Sequence, residues 1–97
     1  MSLNYIDLYL LNFRNNIKFL KKTKDLKWSD ITKIIYVNKL NLKMTYMKKF
    51  SYGQIQSLDL EKAMLIANVL GHDWYEMLVW DLSKTLDVEN SNQWLED

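Results

Sequence analysis

The stretch LKMTYMKKFSYG, residues 42–53, carries the pattern from which the fold is predicted. Read at the 3.6-residue period of an α-helix, it places Met44, Met47 and Phe50 on one side. The other side carries hydroxyls, ammonium groups and a ring: Thr45, Lys49 and Tyr52 at its centre, with Tyr46 and Lys48 at its edges. Gly53 suits the left-handed conformation that ends many helices. We therefore expect a short amphipathic helix, whose basic face either contacts a ligand or is simply solvated.

Composition limits the classes of protein that the chain can belong to. Its 97 residues suffice for one small domain, and no second domain fits. The absence of cysteine and the single histidine, His72, argue against disulfides and against a metal site, so we expect no metal and no cofactor. The acids are scattered without a nucleophile or a glycine-rich loop beside them, and we expect no enzyme.

The hydropathy pattern argues against a membrane protein. No apolar run approaches the roughly 18 residues that span a bilayer, and the start, MSLNYIDLYLLNF, lacks the basic region of a secretory signal. We expect a soluble, cytoplasmic protein with no membrane partner.

Charge is distributed very unevenly along the chain. From Arg14 to Lys49 there are eleven Lys or Arg against two acids, a balance of +9. From Phe50 onward nine acids oppose Lys62 and Lys84, a balance of −7. Such polarity in one small domain favours a face that meets a polyanion, with a solvated lysine-rich surface as the alternative.

Apolar periodicity predicts five helices and no strands. We expect them at residues 4–22, from 28 or 29 to 36 or 37, 42–53, 60–70 and 74–82. The absence of proline and the presence of only two glycines agree with an all-α fold. Residues 38–41 have the composition of a turn. Residues 83–97 form an acidic C-terminal tail, in which Trp94 and Leu95 could attach to the domain.

Particular residues are expected to cap or cover these helices. Ser29 and Asp30 are alternative caps of the second helix, Asp59 caps the fourth, and Asp73 with Glu76 opens the fifth. The fourth helix, apolar on most sides, is expected to be the most buried. Trp28 and Tyr36 are expected to be buried or half-buried, with an exposed partner-binding role as the alternative.

The runs NNIKFLKKTKDLKWSDITKIIYV, NLKMTYMKKFSYG and LDLEKAMLIANVLGHDWYEML, together about residues 13–78, resemble the helix-turn-helix domain of the phage repressor and Cro type, called XRE-like. The resemblance implies a five-helix, lambda-repressor-like domain in residues 1–82. It also implies that the third helix is a recognition helix, whose residues facing DNA are Lys43, Met44, Thr45, Tyr46, Lys48 and Lys49, followed by Tyr52. Further phosphate contacts are expected from Lys22, Lys27, Trp28 and Lys39.

The chain departs from the family pattern between its second and third helices. Thr32 stands where alanine is common, and the turn is longer by about four residues. Trp28 and Met44 or Thr45 occupy positions where many members carry glutamine. The stretch from Lys43 to Tyr52 also holds no Arg, Asn or Gln, the residues that make the most discriminating bidentate contacts to bases.

Together these patterns predict a small regulator of transcription that binds double-stranded DNA. The alternative is a helix-turn-helix scaffold used for protein binding, as in an antirepressor, antitoxin or inhibitor. Helix five is apolar nearly all round, and we expect a homodimer whose interface includes Trp74, Met77, Val79 and Trp80.

Overall fold

The chain forms five α-helices within residues 5–84, the part that the computed structural model describes. Their bounds are Tyr5–Thr23 (α1), Trp28–Val37 (α2), Met44–Ser51 (α3), Leu60–Val69 (α4) and Trp74–Val79 (α5). No strand occurs in this part of the chain, so the predicted all-helical class is confirmed. None of the five helices combines the length and the apolar character of a membrane span. Trp94, Leu95 and the rest of residues 85–97 lie outside the described residues.

The core forms where α1 crosses α3, with α4 and α5 packed beside it. The rings of Phe13 and Phe50 meet edge to face, with their centroids 6.0 Å apart. The same core cluster contains a fully buried side chain from each of the five helices: Ile17, Ile31, Met47, Ile66 and Met77. Burial of each such side chain contributes about 1.5–3 kcal/mol to the free energy of unfolding. The apolar face expected for residues 42–53 is thus the face that docks.

Four helices end in the same hydrogen-bonded turn, with a left-handed residue just past the last turn. These residues are Asp25 (φ 53°), Lys39 (φ 54°), Gly53 (φ 78°) and Gly71 (φ 70°). After α2, the Lys39 amide donates to the Tyr36 carbonyl and the Leu40 amide donates to the Ile35 carbonyl. This is the Schellman pattern, which satisfies carbonyls that the helix leaves unpaired. The turn between α2 and α3 therefore has a defined conformation.

Arg14, one of the residues counted in the basic segment, links α1 to the end of α3. Its Nε donates to the Phe50 carbonyl at 3.0 Å, and its Nη2 donates to the Ile55 carbonyl at 2.8 Å. Its guanidinium carbon also lies 4.6 Å from the centroid of the Phe50 ring. A cation at the C-terminal end of a helix interacts favourably with the helix dipole. Arg14 therefore stabilises the fold and fixes the position of α3.

Two asparagines, one turn apart on α1, hold the end of α5. Asn16, 1% exposed, donates through Nδ2 to the carbonyls of Met77 (2.8 Å) and Trp80 (2.7 Å). Its Oδ1 accepts from the Leu82 amide at 3.1 Å. Asn12 also donates to the Trp80 carbonyl, at 2.6 Å. The shortness of α5 follows from these bonds, because the side chains of α1 satisfy its last carbonyls and the chain turns away.

Several predictions about helix ends and burial need correction. Helix α5 ends at Val79 rather than near residue 82, and the N-cap of α2 is Lys27 rather than Ser29 or Asp30. Asp30 assists there, because its carboxylate accepts from the Lys27 amide at 2.9 Å. Helix α4 buries Ala63, Ile66, Ala67 and Val69, four of its ten residues and the largest share among the five helices, but its apolar residues Leu60 and Met64 are exposed.

The N-cap prediction for α4 is confirmed. The Asp59 carboxylate accepts from the Lys62 amide at 2.7 Å. Asp73 similarly accepts from the Tyr75 amide at 3.0 Å at the start of α5, while Glu76 lies 2.9 Å from Nε2 of His72. These contacts give His72 a structural place at the entry to α5.

Candidate functional site

An aromatic pair lies where α1, α2 and α3 meet. Trp28, the first residue of α2, donates from its indole Nε1 to the hydroxyl oxygen of Tyr52 at 2.9 Å. The two rings meet edge to face with their centroids 6.1 Å apart. Tyr52 directly follows α3 and is 58% exposed, whereas Trp28 is half-buried. The predicted half-burial of Trp28 is confirmed, and its partner is α3.

Lysines from α1 and α3 surround this pair. Nζ of Lys21 lies 4.5 Å from the centroid of the Trp28 ring, and Nζ of Lys48 lies 5.7 Å from it. A cavity of about 160 Å³ adjoins them, and its lining residues include no acid: Ile17, Lys18, Lys21, Lys22, Trp28, Ser51 and Tyr52. We call Lys18, Lys21, Lys22, Trp28, Lys48 and Tyr52 the Trp28 cluster.

The polar groups of the Trp28 cluster favour an anion. Because the Tyr52 hydroxyl accepts from the indole, its own proton is free to donate to another oxygen. The lysine ammoniums are donors only, and the ring face beneath two of them helps to hold them in place. A ligand that accepts several hydrogen bonds and carries negative charge, such as a phosphate group, matches these donors.

The exposed side of α3 continues from the Trp28 cluster. Thr45 and Lys49 are exposed, as the helical period predicts, and Lys48 lies at the edge of this side beside Trp28. Lys43, at the N-cap position of α3, is also exposed. Of the residues predicted to face DNA, these and Tyr52 are the ones whose side chains remain accessible.

Met44 and Tyr46 are differently placed from the rest of that set. The sulfur of Met44 contacts the hydroxyl of Thr32 on α2. Tyr46 donates to the Ser57 carbonyl at 3.2 Å, and Nζ of Lys62 lies 5.9 Å from its ring centroid. Burial, assisted by the negative charge of Asp59, raises the pKa of the Tyr46 phenol above its usual value. Both side chains are half-buried against neighbouring segments.

The predicted phosphate contacts lie near both ends of α3. Lys22 lines the cavity beside Trp28, near the C-terminal end of α3, and Lys27 is exposed just before α2. Lys39 lies in the turn that precedes the N-terminal end of α3 and lines a groove there with Met44. Lys24, by contrast, donates to the Leu70 carbonyl at 2.6 Å and so belongs to the end of α4.

The residues predicted for a dimer interface divide between core and surface. Met77 is fully buried and therefore contributes to the core of the monomer. Trp74 is half-buried, while Val79 and Trp80 are exposed, Trp80 to 57%. Exposed apolar side chains at the start of α1 accompany them: Ile6, Leu8, Tyr9 and Leu11.

Sequence reasoning missed that Lys18 and Lys21 belong to the site. They recur with Lys22 at helical spacings of three and four, so their shared face was visible in the sequence. What the sequence did not show was that Trp28 from the next helix would lie under Lys21, because that contact depends on how α1 and α2 are connected.

No protein-family model matches this chain, and neither does any curated protein or solved structure. The resemblance of residues 13–78 to phage repressors therefore stays a prediction. Within residues 5–84 no group of three His, Cys, Asp or Glu side chains is arranged to hold a metal ion.

Proposed function

We propose that this protein binds double-stranded DNA as a small regulator of transcription, with α3 as the recognition helix. The observation that carries the proposal is the Trp28 cluster, in which side chains from three helices present hydrogen-bond donors and positive charge beside the exposed side of α3. Backbone phosphates accept such hydrogen bonds from lysine and tyrosine side chains.

The dimensions of α3 agree with this role. Its eight residues give a length of about 12 Å, close to the width of the major groove of B-DNA. The Trp28 cluster lies near its C-terminal end, and Lys39 and Lys43 lie near its N-terminal end. Cations at both ends suit the two phosphate backbones that border the groove, while Thr45 and Lys49 would face the bases.

Base discrimination by this surface should be modest. Lysine can donate to guanine and threonine can contact thymine, but neither reads one base uniquely. Affinity should therefore come mainly from the phosphate backbone, as in proteins whose binding is dominated by counterion release.

A homodimer is part of the proposal. In a two-fold dimer, two recognition helices about 34 Å apart read successive turns of the duplex. The exposed apolar side chains of α5 and the start of α1 supply a surface for such a contact, and Trp80 is close to α1 because Asn12 binds its carbonyl. Association would remove from water side chains that otherwise form an aggregation-prone patch.

The experiment is a titration of a fluorescent random-sequence duplex at about 50 mM salt, where backbone contacts are strong. The wild type should bind, and Lys21→Ala/Lys48→Ala, which removes two cations of the Trp28 cluster, should bind more weakly to all sequences alike. Lys84→Ala, which removes a cation outside the Trp28 cluster, is the matched control and should bind like the wild type. Absence of wild-type binding would refute the proposal.

Protein binding is the second candidate function. It is favoured by the exposure of Tyr36 (83%) and Val37 (72%) at the end of α2, where the sequence led us to expect Tyr36 to be buried or half-buried. Under this alternative, the duplex titration would show no binding by any variant.

A further inference from the structure

A groove lies at the turn between α2 and α3, distinct from the Trp28 cluster. Its volume is about 600 Å³, within the range of sites that bind sizeable ligands. Its lining residues are mostly apolar and include no acid: Ile35, Tyr36, Leu40, Leu42 and Met44, with Lys39 as the cation. The exposed ring of Tyr36 forms part of its wall.

The conformation of Lys39 gives this groove a fixed shape. Its left-handed backbone (φ 54°) lies inside the hydrogen-bonded turn that ends α2. Leu40 and Leu42 follow Lys39 in the sequence, and Leu42 is buried in the core. The groove therefore has an apolar floor and a positive charge beside it, a combination suited to an acidic peptide that carries large apolar side chains.

The chain itself contains one such peptide. Residues 85–97, TLDVENSNQWLED, hold four acids and no Lys or Arg, a balance of −4, and include Trp94 and Leu95 side by side. Lys33 and Lys43, both exposed, lie next in sequence to Thr32 and Met44 of the groove wall. Opposite charge would steer the acidic segment toward this side of the domain, and burial of an indole and a leucine would supply the larger share of the affinity.

The linking segment is long enough for the contact to form within one chain. Lys84, the last described residue, precedes Leu95 by eleven residues, which span up to about 36 Å when extended. The Cα radius of gyration of the structure is 14.6 Å, so the extended segment reaches about two and a half times that radius. We propose that the acidic segment 85–97 docks Trp94 and Leu95 into the groove between α2 and α3.

The Trp28 cluster is the main competitor for this segment, since it carries more lysines. Its cavity, at about 160 Å³, is much smaller than the groove, and Trp28 and Tyr52 already fill its apolar side. It can attract acids but offers little room for a second indole with a leucine. The two apolar anchors therefore favour the groove.

The first test compares amide chemical shifts in the full-length protein. Trp94→Ala/Leu95→Ala should shift the amides of Val37, Lys39 and Leu40, whereas the matched control Asn90→Ala/Ser91→Ala should leave them in place. Shifts confined to α1 and α5, or to residues around Trp28, would overturn the proposal.

The second test uses the absence of natural cysteine to measure proximity. We expect Tyr36→Cys/Leu95→Cys to form a disulfide at least about tenfold faster than Lys18→Cys/Leu95→Cys or Val79→Cys/Leu95→Cys, because docking raises the local thiol concentration. The three partner positions are all exposed, so the substitutions should not disturb the core. Equal rates, or fastest pairing at position 18 or 79, would contradict docking in the groove. These tests involve no DNA and are independent of the proposed function.

Discussion

At the scale of single residues, the side-chain amide of Asn16 has the most complete set of hydrogen bonds in the core. It uses both donor hydrogens and its oxygen within the core, on the carbonyls of Met77 and Trp80 and the amide of Leu82. A buried polar group is tolerated when it is fully paired, and it becomes costly when its partner is removed. Asn16 therefore contributes strongly to the contact between α1 and α5, together with Asn12.

Replacement of Asn16 tests that contribution. Asn16→Ala should lower the free energy of unfolding by about 3 kcal/mol, because it leaves buried backbone groups without partners and opens a small cavity. Urea unfolding gives the value. The neighbouring, exposed Asn15 is the matched control, and Asn15→Ala should change stability by less than about 0.5 kcal/mol. Equal effects of the two substitutions would disprove the role of Asn16.

Lys39 has the opposite character, since its backbone is strained. A left-handed conformation costs a residue with a Cβ about 1–2 kcal/mol, and glycine adopts it freely. After subtraction of the extra entropy of glycine in the unfolded chain, Lys39→Gly should stabilise the protein by about 0.5–1 kcal/mol. Lys33→Gly, inside α2, should instead destabilise it by about 1 kcal/mol. Thermal unfolding distinguishes the two signs, and a loss of stability in both variants would argue against strain at Lys39.

Sequence reasoning was least informative at this scale. The helical period marked Phe13, Ile17 and Phe50 correctly as apolar partners, because burial follows spacing. It could not reveal that Arg14 would bind the carbonyl of Phe50, since the two are 36 positions apart and the acceptor is a backbone atom present in every residue. Arg14 was therefore counted in the basic stretch from Arg14 to Lys49, although it stabilises the fold.

At the scale of the helices, the junction of α1, α2 and α3 organises the candidate site. The hydrogen bond from Trp28 to Tyr52 fixes the start of α2 against the end of α3, and Lys21 and Lys48 lie over the indole ring. This arrangement brings cations from α1 to the exposed side of α3.

Tyr52→Phe tests the junction with minimal change in shape. It removes the acceptor of the indole N–H and the hydroxyl proposed to donate to phosphate, so DNA affinity should fall about fivefold, equivalent to about 1 kcal/mol. Stability should fall by a similar amount. Tyr36→Phe is the control, because Tyr36 is far more exposed, and both affinity and stability should be unchanged. Anisotropy titration measures the DNA affinity, and urea unfolding measures the stability. A Tyr52→Phe variant with the affinity of the wild type would exclude the junction as a binding element.

Helix order and approximate bounds were predictable from apolar period and turn residues. The C-terminal ends of the helices were harder to predict. Gly53 and Gly71 were recognised as stops, whereas Lys39 and Asp25 take the same conformation without a glycine to reveal it. Tyr36 lies five residues beyond the buried Ile31, about 140° round α2, and is 83% exposed, so its predicted burial was wrong.

At the scale of the whole molecule, apolar surface remains uncovered within the described residues. On α1, Ile6 is 67% exposed and Leu8 and Tyr9 are exposed as well, while after α5 Trp80 is 57% exposed. The hydrogen bond from Asn12 to the Trp80 carbonyl brings α1 close to Trp80. A second copy of the chain is the proposed cover.

Trp80→Asp tests the dimer. Only the backbone of Trp80 bonds to α1, and its ring is exposed, so the variant should fold. Sedimentation should give twice the monomer mass for the wild type and the monomer mass for Trp80→Asp, which should also bind DNA more weakly. Tyr36→Asp, an equally drastic change on a different surface, should remain dimeric. A wild type that is monomeric at high micromolar concentration would exclude paired half-sites.

The dependence of DNA affinity on salt tests the central claim most directly. With roughly five phosphates neutralised per protomer, log affinity should fall linearly with log salt concentration with a slope of about −4.5 per protomer. Lys21→Ala/Lys48→Ala should make that slope shallower by about two contacts, or 1.8, while Lys84→Ala should leave it unchanged. An affinity independent of salt, or a slope that the double variant does not alter, would contradict DNA binding through the Trp28 cluster.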